Sequence, residues 1–290
     1  MRITLQSLIK TAAFVPLAFA TAMAQDFDSV EMKVHPVSGN VSYIEGMGGN
    51  IGLFTGDDGV FLIDDQYAPL TDKIVAAIRT VSDGPIRFLV NTHMHPDHTG
   101  GNENFGKMGT LIFGHDNVRS QMAAAGYDEA PPLVTFSEDM SFHINGETVH
   151  VFKVPNAHTN GDVYIKFEGS NVVHTGDVYR TTTFAYIDQG NGGSFLGTIE
   201  AHSLLIEVSD ADTKIVPGHG VVSSVADVTA VRDMLVVIRD RVAAAMREGK
   251  SLEEIQGAGL TAEYDERWAG EGRIGSSASL LEAAYNDLSN

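Results

Sequence analysis

Six residues constrain this chain more than any other feature. His93-Met94-His95-Pro96-Asp97-His98 places three imidazoles and a carboxylate directly after a compact apolar run, Ile86–Asn91. A short apolar run bounded by turn residues reads as a strand, so the cluster stands at a strand's end. Imidazole and carboxylate are ligands for zinc and related cations. With this chain's His and Asp frequencies, H-x-H-x-D-H arises by chance with a probability of about 0.001, which favours a fold organised around metal ligands over a solvated loop. Extended alternation would turn His93 and His95 to one side and Asp97 and His98 to another, so that one loop feeds two metals.

Composition narrows the chemistry further. The chain has 290 residues and no cysteine, which excludes a disulfide scaffold, a cysteine nucleophile, an iron–sulfur cluster and thiolate zinc sites. Met1 to Ala24 reads as a secretory signal: Arg2 and Lys10 precede or flank an apolar run, Thr11 to Ala22, and Ala22-Met23-Ala24 is an A-x-A cleavage site. Its removal leaves residues 25–290 with 17 Lys and Arg against 38 Asp and Glu, a net charge of −21. That excess repels nucleic acid and anionic membrane, and no mature segment offers the ~20 apolar residues of a membrane span. The expected location is the periplasm, with no protein partner predicted.

Hydrophobic patterning predicts a meander of strands at 32–37, 41–45, 51–55 and 60–64, then a helix opening near Pro69, the strand 86–91, a strand at 110–113 and a helix at about 116–125. Strand, helix and strand at these spacings imply parallel pairing. A second half follows: strands at 140–144 and 148–154 joined by Asn145-Gly146, strands at 163–167 and 171–174, a helix at about 194–208 and a strand at 214–216. Residues 225–290 read as a helical extension, with helices at 225–248, 252–255 and 278–288.

Three further polar residues sit at expected strand ends: His158 in Asn156-Ala157-His158-Thr159, Asp177 ending His174-Thr175-Gly176-Asp177, and His219 in Pro217-Gly218-His219-Gly220. Together they complete a coordination count, with His93, His95 and His158 for one zinc, Asp97, His98 and His219 for another, and Asp177 bridging.

The order H-x-H-x-D-H, A-H-T, T-G-D, P-G-H-G resembles the metallo-β-lactamase superfamily from about Val30 to Val222. The resemblance implies a four-layer αββα sandwich of two mixed β-sheets with helices on both outer faces and two Zn2+ ions at one edge, held by the seven residues just named. Asp64 matches the family's first aspartate, which supports a ligand without being one. The family branch of clinical lactamases carries a cysteine at the second zinc; this chain offers Asp177, as the glyoxalase-like and lactonase-like branches do. The segment Ala262-Glu263-Tyr264-Asp265 with Trp268 is similar to exported members of the family.

Around such a centre, Met47 in the glycine-rich tip Gly46–Asn50 is a flap candidate, Tyr179 and Tyr186 offer hydroxyls to a substrate carbonyl, and Asn191 with the amides of 191–194 offers a carboxylate site. His115, His143, His150, His174 and His202 lack motif context and read as structural. Two zincs lower the pKa of a shared water from ~15.7 to near 7, giving a hydroxide for attack on a carbonyl, with Asp97 orienting it and holding its proton. Export to where antibiotics arrive makes a cyclic amide, a β-lactam above all, the leading substrate, small and carboxylate-bearing, with antibiotic resistance as the consequence. The alternatives are a lactonase or thioesterase of the same fold, or an iron sulfur-dioxygenase-like oxidoreductase.

Overall fold

The neighbouring strands Ile51–Gly56 (β3) and Gly59–Ile63 (β4) bury side chains on both faces, and β4 is buried along its whole length. A strand apolar on both faces belongs inside a layered structure, covered by a second sheet on one side and helices on the other. The structure, a computed structural model, describes residues 26–127 and 130–289; the expected signal segment 1–24 lies outside them.

The described residues form two mixed sheets. The first runs in sequence order through Lys33–Ser38 (β1), Val41–Glu45 (β2), β3, β4, Ile86–Val90 (β5), Leu111–His115 (β6) and Val134–Phe136 (β7), antiparallel as far as β4 and parallel beyond it. The second has the order β12-β11-β10-β9-β8, comprising Asp139–Ile144 (β8), Glu147–Lys153 (β9), Val163–Phe167 (β10), Val172–His174 (β11) and Lys214–Val216 (β12), with only β11 and β12 parallel. The β8–β9 hairpin turns on Asn145 and Gly146, both at positive φ as the dipeptide foretold.

Three apolar layers follow from this arrangement. Between the sheets, Phe54, Phe61, Val90 and Phe113 meet Phe142, Val151, Ile165 and Phe167, with Phe61 edge-on to Phe142 at 5.0 Å between centroids. Outside the first sheet, Leu53, Leu62 and Leu89 pack on Thr71–Ile78 (α1) and Asn102–Lys107 (α3) through Ile74, Ile78 and Phe105. Outside the second, Tyr164, Val173 and Ile215 pack under Phe195–Glu207 (α5) and Val225–Arg247 (α6) through Leu205, Leu235 and Ile238. This is the expected αββα sandwich. Pro96–Thr99 (α2) and Asp116–Ala124 (α4) complete the first half, and Leu252–Gly257 (α7), Ala262–Trp268 (α8) and Ser277–Ser289 (α9) close the chain over α5 and α6.

The structure corrects several local expectations. Pro96 starts a helical turn, so Asp97 and His98 sit on α2, while His93 lies on a bend before it and His95 is its extended N-cap; extended alternation does not divide them. β11 ends at His174, and Asp177 belongs to a 3-10 turn at Gly176–Val178 rather than to the strand. β4 ends at Ile63, leaving Asp64 beyond it at φ 63, a left-handed conformation rare for a residue with a side chain.

Candidate metal centre

All seven residues expected as ligands converge where the strands of both sheets end. β5 leads into the segment carrying His93, His95, Asp97 and His98; His158 lies between β9 and β10, Asp177 after β11, and His219 after β12. Their ligand atoms form three groups, each within 4.8 Å: His93, His95 and His158; His93, His98 and Asp177; Asp97, His98 and His219. His158 Nε2 lies 2.8 Å from His95 Nδ1, and His219 Nε2 lies 3.3 Å from both Asp97 Oδ2 and Asp177 Oδ1. Asp177 stands between the groups, with Oδ1 3.2 Å from His98 Nε2 and Oδ2 3.9 Å from His158 Nε2.

The imidazoles are oriented from behind. Asp64 Oδ2 accepts from Thr92 Oγ1 at 2.8 Å and faces His98 Nδ1 at 2.7 Å, while Thr92 Oγ1 in turn faces His93 Nδ1 at 2.9 Å. One carboxylate therefore fixes the tautomers of two histidines and leaves both Nε2 atoms pointing into the cluster. His158 donates from Nδ1 to the Tyr186 carbonyl at 2.6 Å, and His95 meets Asp188 through Nε2 at 2.9 Å, leaving Nδ1 for the centre.

These residues fit a cation. The buried atoms His93 Nε2, His98 Nε2 and Asp177 Oδ1 have no hydrogen-bond partner, which is costly for polar atoms unless something else satisfies them. Burial first, then the charges of neighbouring imidazoles, holds His93 well below the ordinary imidazole range and His158 at about 3, so their lone pairs are free. Burial alone would also lower His98, yet Asp97, Asp177 and Asp64 together push it well above the usual value: positive charge is drawn to the second group. Nitrogen and oxygen donors without sulfur suit zinc and iron alike.

The centre has one open face. His95, Asp97 and His219 side chains are 18%, 25% and 21% exposed, whereas the other four ligand candidates are buried. The tip Gly46–Asn50 borders this face. A Cβ at Gly48 would meet the Asp97 carbonyl and one at Gly49 the His98 ring, and Gly49 N donates to Asp97 O at 3.0 Å, so only glycine permits this approach. Met47 is half-exposed beside them. The Tyr186 ring lies 5.5 Å from His158 and 6.3 Å from His95; burial and Asp188 raise its phenol, which stays protonated.

Two expected pocket residues do not serve it. Tyr179 is fully buried in the second outer layer with its hydroxyl donating to Ser223 Oγ at 3.2 Å. Asn191 gives its side-chain amide to Asp188 Oδ2 at 2.7 Å, and the amides of 191–194 are taken by Asp188, Gln189 and Ala157 carbonyls. Sequence reasoning missed Asp188 and Arg180. The extended backbone at Tyr179 turns Arg180 to the opposite side from the core. There Arg180 is 9% exposed, its Nε lacks a partner, and its charge acts on His158. Asp177 with a cation three residues on was the available signal.

Strand-end histidines and aspartates across an αββα sandwich define a class of metal-binding hydrolase folds. The chain belongs to the metallo-β-lactamase superfamily, whose family model matches residues 44–219. No curated protein matches the chain. Among solved structures, it resembles the DIM-1 metallo-β-lactamase at 16% identity (TM-score 0.62, 71% of this chain and 98% of that one). The metallo-β-lactamase from Pontibacter korlensis is similar at 20% identity (TM-score 0.62, 71% and 99%). The sec-alkylsulfatase Pisa1 from Pseudomonas sp. is similar at 17% identity (TM-score 0.72), over 88% of this chain and 50% of that one. These likenesses establish the shared fold.

Proposed function

We propose that the protein is an exported zinc-dependent hydrolase that opens a cyclic amide bearing a carboxylate, with β-lactams as its leading substrates. The observation that carries this reading is the pairing of the open-faced His and Asp cluster with Arg180, a buried side chain whose Nε has no partner and whose charge acts on His158. In a chain this acidic, a buried arginine without a carboxylate partner among the described residues suits an anionic group brought by the substrate. A match over nearly the whole length of two metallo-β-lactamases supports the same reading.

His93, His95 and His158 would hold one zinc, and Asp97, His98 and His219 the other, with Asp177 shared. Bound there, such cations supply Lewis acidity toward a carbonyl and an activated water at neutral pH. The chain's own contribution is to position and to exclude. Asp64, Asp188 and the Tyr186 carbonyl lock the imidazole rings. Asp97, on the open face, is placed to accept a proton from the attacking water and return it to the leaving amine. Tyr186 keeps its phenolic proton and can donate it toward a developing oxyanion. The Gly46–Asn50 tip covers one flank and limits access of bulk water.

A second reading, hydrolysis of a secondary alkyl sulfate, is favoured by the likeness to Pisa1 that extends over 88% of this chain, into residues beyond the lactamase-sized core. A substrate panel on the zinc-loaded mature protein tests both: nitrocefin, a penicillin, an acyl-homoserine lactone, a glutathione thioester and a secondary alkyl sulfate, with His93→Ala as control. Highest kcat/KM on the β-lactams is expected; no β-lactam turnover would remove the main reading, and full activity in His93→Ala would remove the site. One iron per chain on metal analysis would point to the oxidoreductase instead.

A further inference from the structure

We infer that Asp287, three residues from the end of the chain and outside the family-matched stretch 44–219, is a positioning residue for His95 and His158. The inference rests on the reading of these histidines as metal ligands.

The connection runs through the loop 188–194. At one end of that loop, Asp188 holds His95 Nε2 at 2.9 Å and donates its own amide to the His158 carbonyl at 2.9 Å. At the other end, Ser194 N donates to the Ala157 carbonyl at 2.8 Å. The loop is thus the frame on which two of three imidazoles in the first group rest. It has no regular sheet or long helix to stiffen it, only a 3-10 turn at Gln189–Asn191.

Helix α9 supplies the stiffness. Asp287 Oδ1 accepts from Gln189 Nε2 at 3.0 Å, and its Oδ2 accepts from Ser194 Oγ at 2.7 Å and Leu196 N at 3.1 Å. Asn286 Nδ2 donates to Gln189 Oε1 at 2.9 Å beside it. A single carboxylate therefore grips both ends of the loop, next to Asp188 and at the cap of α5. α9 is itself anchored by Leu280, Leu281 and Ala284 in the second outer layer. Partners that orient a ligand from outside its coordination sphere typically change metal affinity by about 10–100-fold when removed. Asp287 acts one step further out, so the lower end of that range is expected.

The test is chelator competition on the cobalt-loaded mature protein, following release by visible absorption. His158→Ala identifies the step that belongs to the first group. Asp287→Ala is expected to weaken that step about 10-fold and leave the other unchanged, and Gln189→Ala to weaken the same step less. Glu263→Ala cuts the tie from α8 to Arg241 elsewhere in the extension and should leave both steps alone. Equal weakening of both steps in Asp287→Ala, or parent values in both, overturns the inference while the metal centre stands. A parent protein that takes up no cobalt overturns the metal reading itself and this inference with it.

Discussion

Asp64 and His98 meet at 2.7 Å with neither side chain in contact with solvent. The same carboxylate takes the Thr92 hydroxyl and amide, at 2.8 Å each. Asp64→Ala would strand a buried imidazole N–H and a threonine hydroxyl together. We expect a loss of about 3–5 kcal/mol in urea unfolding, the scale for breaking one side of a buried pair, and substoichiometric metal after dialysis. Parent-like stability with full metal content would show that Asp64 does not orient the centre.

Arg180 gives a prediction that separates substrates. Arg180→Ala should raise KM for carboxylate-bearing β-lactams and lower kcat/KM by about 10–100-fold, since a charge-assisted bond is lost at about 1.5–3 kcal/mol. Against an ester or amide of the same substrate, which lacks the anion, the variant and parent should agree. Equal losses on both would assign Arg180 to the structure alone.

At Gly49 the His98 ring occupies the space a Cβ would need, and the flank is backbone and buried ring rather than a flexible side-chain end. Gly49→Ala should therefore displace the tip or the ring, costing about 1–3 kcal/mol and impairing the second metal group, whereas Gly257→Ala meets no neighbour and should spare the centre. Calorimetry and metal content read both effects.

Acid should destabilise the fold through His202. Burial lowers its imidazole from 6.5 to about 4; its Nε2 donates to the Val178 carbonyl at 3.0 Å and its Nδ1 has no partner. Between these values the unfolded chain takes up a proton that the folded one refuses, so stability rises with pH across that window. Its contribution is complete above about pH 6.5 and lost as pH falls toward 4, by about 3 kcal/mol in all. His202→Gln, which keeps a donor for Val178, should flatten the slope in denaturant melts between pH 4 and 6.5; an unchanged slope would exclude His202 as its source.

The seven ligand candidates were legible because each lies beyond the end of a strand, and those strand ends gather at one edge of the sandwich. His158, Asp177 and His219 could therefore be singled out without knowing any side-chain contact, whereas Asp64 came only from the family resemblance. The turn at Asn145-Gly146 was equally legible from local backbone preference. Arg180 and Tyr179 show where that reasoning stops: they are neighbours in one loop, and which of them enters the core depends on how the chain leaves the 3-10 turn at Gly176–Val178. Asp188 and Asp287 were out of reach for another reason. Asp188 meets His95 from about ninety residues further along the chain, and Asp287 reaches the loop from a helix about ninety residues later still, tertiary contacts with no local periodicity. α2 was hidden because its four residues are too few to show a helical repeat.

The centre draws its side chains from both sheets, four from the segment after β5 and three from the strand ends of the second sheet. An ion bound there is a rivet through the sandwich, and the sheets cannot part before it leaves. Survival of the protein would then be governed by the rate of ion loss as much as by the apolar layer between the sheets, making scarce metal and strong chelators agents of unfolding.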